Sequence, residues 1–180
     1  MHITARARPG LPSFRAQRIA MLVWLQMRRL NDERFQIVHF SIQKDHVHLI
    51  VEANDRETII RKMQGFMISF AKRLNLLLGR KRGKVWSDRY FRRDVTGSRD
   101  MHNVLAYVFG NAKKHGIIPR DALVLDSGSS AWTFEGWDLR VELPPDKNRW
   151  KPPRPRTRLL RKDWIAHGLL RVSSVPRSAR

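Results

Sequence analysis

The sequence predicts an α+β fold, an antiparallel sheet with helices packed on one face, followed by a basic, partly irregular C-terminal extension. Three observations predict it. Residues 35–42 (FQIVHFSI) and 46–53 (HVHLIVEA) are β-rich and are separated only by Gln43, Lys44 and Asp45, which suits a hairpin. Two longer segments repeat apolar residues at three-and-four spacing, the period of an amphipathic helix. The order is strand, helix, strand, strand, helix, strand, then a further helix, and that is the order of a ferredoxin-like sheet.

Each element has its own signal. Residues 2–8 (HITARAR) alternate and form a first strand, broken by Pro9, Gly10 and Pro12. The chain starts almost inside that strand, which leaves room for an upstream segment. Ser13 is placed to cap a helix running to about Leu30, with Phe14, Ile19, Leu22, Val23, Met27 and Leu30 as its apolar set. After the hairpin, Asn54 and Glu57 have the spacing of a capping box. The helix that follows carries Ile59, Met63, Phe66, Phe70, Leu74 and Leu77 and ends at Gly79. Residues 80–84 (RKRGK) are a basic turn, and residues 85–95 hold a strand or strand pair around Val85, Trp86, Tyr90 and Phe91. A third helix spans about 100–115, closed by His115 and Gly116. The division that results is residues 1–117 as the structured domain and 118–180 as a Pro-rich basic extension. Residues 144–180 hold 11 Lys or Arg against 2 Asp or Glu and are expected to stay extended, apart from a short helix near 159–167, and to clamp a phosphate backbone; the alternatives are a tail with no role and one in which Trp150 and Trp164 dock on the preceding domain.

Bulk composition narrows the partner. The chain has 180 residues, enough for one domain and a modest second element, and a net charge of +20. Lys and Arg at that excess point to a polyanion, because cations that neutralise phosphates release condensed counterions. There are no cysteines, so thiolate metal sites, disulfides and cysteine nucleophiles are excluded. The most apolar run, Ile19 to Leu25, is too short to span a bilayer and reads as a buried helix. The expectation is a cytoplasmic protein, nucleoid-associated if bacterial, with no membrane partner. Monomer and homodimer are left open.

The residues with chemistry are few. In His46-Val47-His48 the two imidazoles share one face of a strand, roughly 7 Å apart at their Cα atoms. That is the start of a divalent metal site, or else two half-exposed histidines on a sheet. Val47, Leu49 and Val51 point the other way, into a core. Tyr107 falls off the apolar line of its helix (Met101, Val104, Leu105, Val108 and Ala112), which places its hydroxyl on a polar face. Asn111, one turn on, has a carbonyl oxygen available as a third ligand. The competing reading is a tyrosine packed at a helix edge.

The strings VHFSIQKDHVHLIVEAND, VWSDRYFRR and LAYVFGNAKKHG, in that order, resemble the single-tyrosine HUH transposases, in particular the REP-associated tyrosine transposases. The resemblance covers roughly residues 1–117. It implies a ferredoxin-like fold, a Mg²⁺ or Mn²⁺ ion, and a tyrosine that links covalently to a DNA 5′ phosphate. His46 and His48 match the histidine pair, Tyr107 the nucleophile, and Asn111 the polar third ligand. Relatives often read Asn-Pro where this chain has Asn111-Ala112, and Asn where it has Asp45. The chemistry fits the parts. A phenol ionises only near pH 10, so it is a weak nucleophile unaided. A divalent ion polarises the phosphate, and a phosphotyrosine link retains the bond for rejoining.

The implied function is that of a metal-dependent single-stranded DNA endonuclease and strand transferase acting on hairpin or repeat DNA. Its DNA contacts are assigned to Arg80, Lys81, Arg82 and Lys84, to Trp86, Arg89, Arg92 and Arg93, and to Lys113 and Lys114. Tyr90 is the rival nucleophile, and Trp86 is equally suited to core packing. The runner-up function is a catalytically inactive nucleic-acid-binding module of the same fold. RNA-recognition domains of this plan present aromatics where this chain presents histidines.

Overall fold

The computed structural model describes residues 1–139, 150–173 and 175. Its elements run β1 (His2–Arg6), α1 (Gln17–Leu30), β2 (Phe35–Ile42), β3 (His46–Ala53), α2 (Arg56–Leu77), β4 (Phe91–Arg93) and α3 (Ser98–Lys114), with a short α4 (Arg158–Arg161) late in the chain. The four strands form one sheet in the order β2-β3-β1-β4, every pair antiparallel. This is the ferredoxin-like order. The β2–β3 hairpin closes with the Gln43 N–H donating to the His46 carbonyl at 2.8 Å.

Alternation on the strands divides the protein into two cores. Ile3 and Ala5 of β1 and Val47, Leu49 and Val51 of β3 face α1 and α2, where they meet Val23, Met27, Met63, Phe66 and Phe70. The other face carries Val38 and Ile50 and is covered by Met101, Val104, Leu105 and Val108 of α3. A bulge in β2 between Ile37 and His39 makes this division possible. Ile37 and Phe40 both reach the first core, while Val38 packs in the second and His39 contacts Phe109 and Phe134 there.

Two helix starts differ from the sequence expectation. α1 begins at Gln17 and not at Ser13. The Ser13 hydroxyl instead accepts from the Arg15 N–H at 3.2 Å in a preceding turn that buries Phe14. α2 is capped by Asp55, which accepts from the Thr58 N–H at 2.6 Å. Asn54 is drawn away because its own N–H donates to the Arg34 carbonyl, at the open end of the hairpin.

The C-terminal extension is the larger correction. Its described residues do not run free. Leu160, Trp164 and Leu170 are buried in the second core beside α3, and Trp150 stacks on Phe40 with centroids 5.6 Å apart. Glu52, at the end of β3, accepts from the Arg156 N–H at 2.7 Å and the Thr157 N–H at 2.9 Å, which pins the segment to the sheet. The expected short helix near 159–167 is α4 followed by a 3₁₀ turn over Asp163–His167. Residues 144–149, 174 and 176–180 of the expected clamp lie outside the described residues.

Candidate active site

The strand register decides what surrounds the histidine pair. Thr4 lies opposite His48 and Arg6 opposite His46 across the β1–β3 ladder. Directly opposite residues share a face, so His2, Thr4, His46 and His48 all point toward α3. From α3, Tyr107, Asn111 and His115 come down at four-residue spacing, one helical stripe. The His46 and His48 rings are 4.8 Å apart between centroids, the Tyr107 ring is 5.2 Å from His48, and the His115 ring is 5.3 Å from His46. The two histidines are each 2% exposed, so they are not half-exposed on an open sheet. Tyr107 is half-buried, at the rim.

Hydrogen bonding selects which nitrogen each histidine presents. His46 Nδ1 donates to Asp45 Oδ1 at 2.6 Å. His48 Nδ1 is engaged by Thr4 Oγ1 at 3.0 Å and His2 Nε2 at 3.1 Å. Both rings therefore keep Nε2 for an outside partner. His48 Nε2 is buried with no hydrogen-bond partner, and so are both side-chain polar atoms of the fully buried Asn111. Folded proteins leave few such groups, each costing about 1–3 kcal/mol, and three in one cluster require a cause.

Burial also keeps the imidazoles uncharged. It is the largest effect on each. His2 is pushed down to about 4, with the Arg93 charge adding to burial. His48 lies well below the usual imidazole value, lowered further by His46, His2 and His115. His46 is lowered by burial against the opposing pull of Asp45. Asp45 is raised by burial, but its bond to His46 and the nearby Arg6 charge outweigh that and hold it below the ordinary carboxylate range. Neutral imidazoles are the ligand form.

These residues fit a divalent ion. Among the described residues no group of three or more His, Cys, Asp or Glu side chains is arranged to hold a metal. The rings of His2, His46, His48 and His115 cluster without forming such a group, and His2 spends its Nε2 on His48. Two imidazoles and the Asn111 amide oxygen would be a donor set suited to Mg²⁺ or Mn²⁺.

The other predicted site residues divide. Lys114 Nζ lies 4.9 Å over the Tyr107 ring. Arg93 lies opposite His2 on β4, at the edge of the site, and pairs with Asp100. Arg89 is exposed and Arg92 half-buried. Arg80, Lys81, Arg82 and Lys84 are exposed in the turn after α2, which packs on the opposite face of the sheet from Tyr107. Two assigned DNA contacts are turned inward. Trp86 is 7% exposed in the first core and donates to the Met67 carbonyl at 2.8 Å, so it packs and does not offer a stacking face. Lys113 is 4% exposed and donates to the Ala122 and Val172 carbonyls, which removes its charge from the surface. Tyr90 packs partly against the first core, away from the histidines. Sequence reasoning missed His2, Thr4 and His115. The spacing of eight between Tyr107 and His115 was a usable signal, whereas His2 and Thr4 needed the strand register.

A ferredoxin-like sheet with an HxH pair beneath a tyrosine-bearing helix defines the transposase-type class of DNA-processing enzymes. The family model described as "Transposase IS200 like" matches residues 21–111, just over half of the chain, and the chain belongs to that family. Among solved structures, a REP-associated tyrosine transposase bound to a REP hairpin matches with a TM-score of 0.58 at 15% identity, over 87% of this chain and 92% of that one. At that identity the likeness shows the fold. No curated protein matches the sequence. Among the described residues no helix is long and apolar enough to cross a membrane.

Proposed function

We propose that this transposase cuts and rejoins single-stranded DNA through Tyr107, at positions flanking a hairpin. The observation that carries the reading is the placement of the Tyr107 ring on His48, whose free Nε2 is buried together with the unpartnered amide of Asn111. The family, and the hairpin bound to the structural neighbour, support a hairpin-type DNA substrate.

Tyr107 Oη attacks the scissile phosphorus. The O–P bond forms, the P–O3′ bond breaks, and a 3′-hydroxyl is freed while the 5′ phosphate stays on the tyrosine. Attack by a 3′-hydroxyl on that link reverses the exchange, so strands rejoin without an energy source. Lys114 brings a positive charge to the place where the anionic phosphodiester must sit. His46 Nε2, His48 Nε2 and Asn111 Oδ1 would hold the Mg²⁺ or Mn²⁺, which polarises the phosphate when bound. Arg93 and the exposed cations of the chain hold the backbone.

The test is incubation of labelled hairpin DNA bearing a single-stranded flank with the protein and Mn²⁺, followed by a denaturing gel. Wild type should give a covalent protein–DNA adduct. Tyr107→Phe should give none while retaining DNA binding within about twofold, since only a hydroxyl is lost. An undiminished adduct in that variant moves the nucleophile to Tyr90. Cleavage without any adduct makes it water.

A further inference from the structure

Asp45 sits in the hairpin turn immediately before His46. Its carboxylate does two things. It pairs with Arg6 at 2.6 Å, and it accepts from His46 Nδ1 at 2.6 Å. The first contact lies on the surface, with both side chains about half exposed, so it contributes little to stability. The second reaches a ring that is almost entirely buried. A carboxylate only accepts, so it fixes the proton on Nδ1 and leaves the lone pair on Nε2. It also fixes the ring's rotation. Among the described residues the neighbouring His48 has no carboxylate partner; Thr4 Oγ1 and His2 Nε2 engage its Nδ1.

We propose that Asp45 is a positioning residue for the metal site, orienting His46 and strengthening it as a ligand without touching the metal itself. The proposal rests on the reading of His46 and His48 as metal ligands. A charged acceptor on the far nitrogen raises the basicity of an imidazole, and loss of such a partner typically weakens metal affinity about 10- to 100-fold. Asn keeps an acceptor oxygen in the same place and gives up only the charge. Direct ligation by Asp45 would predict a different pattern, because an amide replaces a carboxylate poorly as a ligand.

The test measures Mn²⁺ affinity of the full chain without DNA, by calorimetry or by electron paramagnetic resonance of free Mn²⁺, with the melting temperature as a check on folding. Asp45→Ala should weaken binding about 10- to 100-fold at a nearly unchanged melting temperature. Asp45→Asn should lose less than Asp45→Ala. His46→Ala should lose the most, and adding Asp45→Ala to it should cost nothing further, because the carboxylate acts through that ring. An additive double variant, or an Asn variant as weak as the Ala variant, overturns the positioning role. Unchanged affinity in Asp45→Ala overturns it alone if His46→Ala still loses binding. Unchanged affinity in both variants overturns it together with the metal-site reading.

Discussion

At the scale of single residues, Asn111 separates function from stability most cleanly. It is fully buried, and neither its oxygen nor its nitrogen has a partner. A leucine of similar volume removes the unsatisfied groups, so Asn111→Leu should leave stability unchanged or raise it, by up to about 1–3 kcal/mol. Mn²⁺ affinity and adduct formation should both fall. Thermal melts beside a metal titration check this, and a variant that melts lower yet binds Mn²⁺ normally would make Asn111 a structural residue. The same scale shows what the sequence discloses about a site. His46, His48, Tyr107 and Asn111 were legible because period two on a strand and period 3.6 on a helix need no tertiary information. Asp45, Thr4 and His2 acquire their roles from register and from a turn, which local pattern does not specify. Lys113 misled because basic residues look like DNA contacts in composition, while its ammonium finds carbonyls inside the fold, and Trp86, equally suited to stacking or packing by sequence, takes the core.

At the scale of elements, the C-terminal extension has two characters. Arg154, Arg156, Arg158 and Arg161 are exposed, whereas Leu160, Trp164, Leu170 and Val172 are buried. The charges and prolines dominate the composition and hide the apolar set, whose spacing follows neither strand nor helix because the segment is mostly irregular. Its anchoring matters for α3, since Trp164 lies in the core that also holds Leu105 and Val108 on the helix bearing Tyr107. Trp164→Ala should therefore cost about 3–5 kcal/mol. It should also reduce adduct formation at temperatures where the protein remains folded. Denaturant melts give the first and gels the second. No change in the denaturation midpoint would mean that the extension is peripheral. β1, β2, β3 and the hairpin connection were read to within a residue or two because β-rich runs and turn residues mark them locally, whereas the strand expected over 85–95 is only Phe91–Arg93. The start of α1 was not, because Ser13 makes a turn that buries Phe14 before the helix begins.

At the scale of the whole molecule, the charge of +20 and the buried histidines set how the protein responds to solution conditions. His39, enclosed by Phe109 and Phe134, is pushed by burial down to about 4 against a smaller opposing pull from Glu52. The unfolded chain takes up that proton near the ordinary value of 6.5. Between that pH and about 4 the unfolded state thus binds more protons, and stability falls as pH falls. The loss is on the order of 1 kcal/mol per pH unit for this group. Melting temperatures from pH 7.5 to 4.5 should decline, and His39→Gln should show a shallower decline than wild type. Equal slopes would mean that His39 is already charged in the folded protein.

The central claim is that one phenol carries the chemistry, and the product records which. A covalent adduct formed on hairpin DNA in Mn²⁺ can be digested with protease and nuclease and its peptides sequenced by mass spectrometry. A 5′-phosphonucleotide is expected on Tyr107 and none on Tyr90. A modified Tyr90, or cut DNA with free 5′ phosphates and no modified peptide, would contradict it.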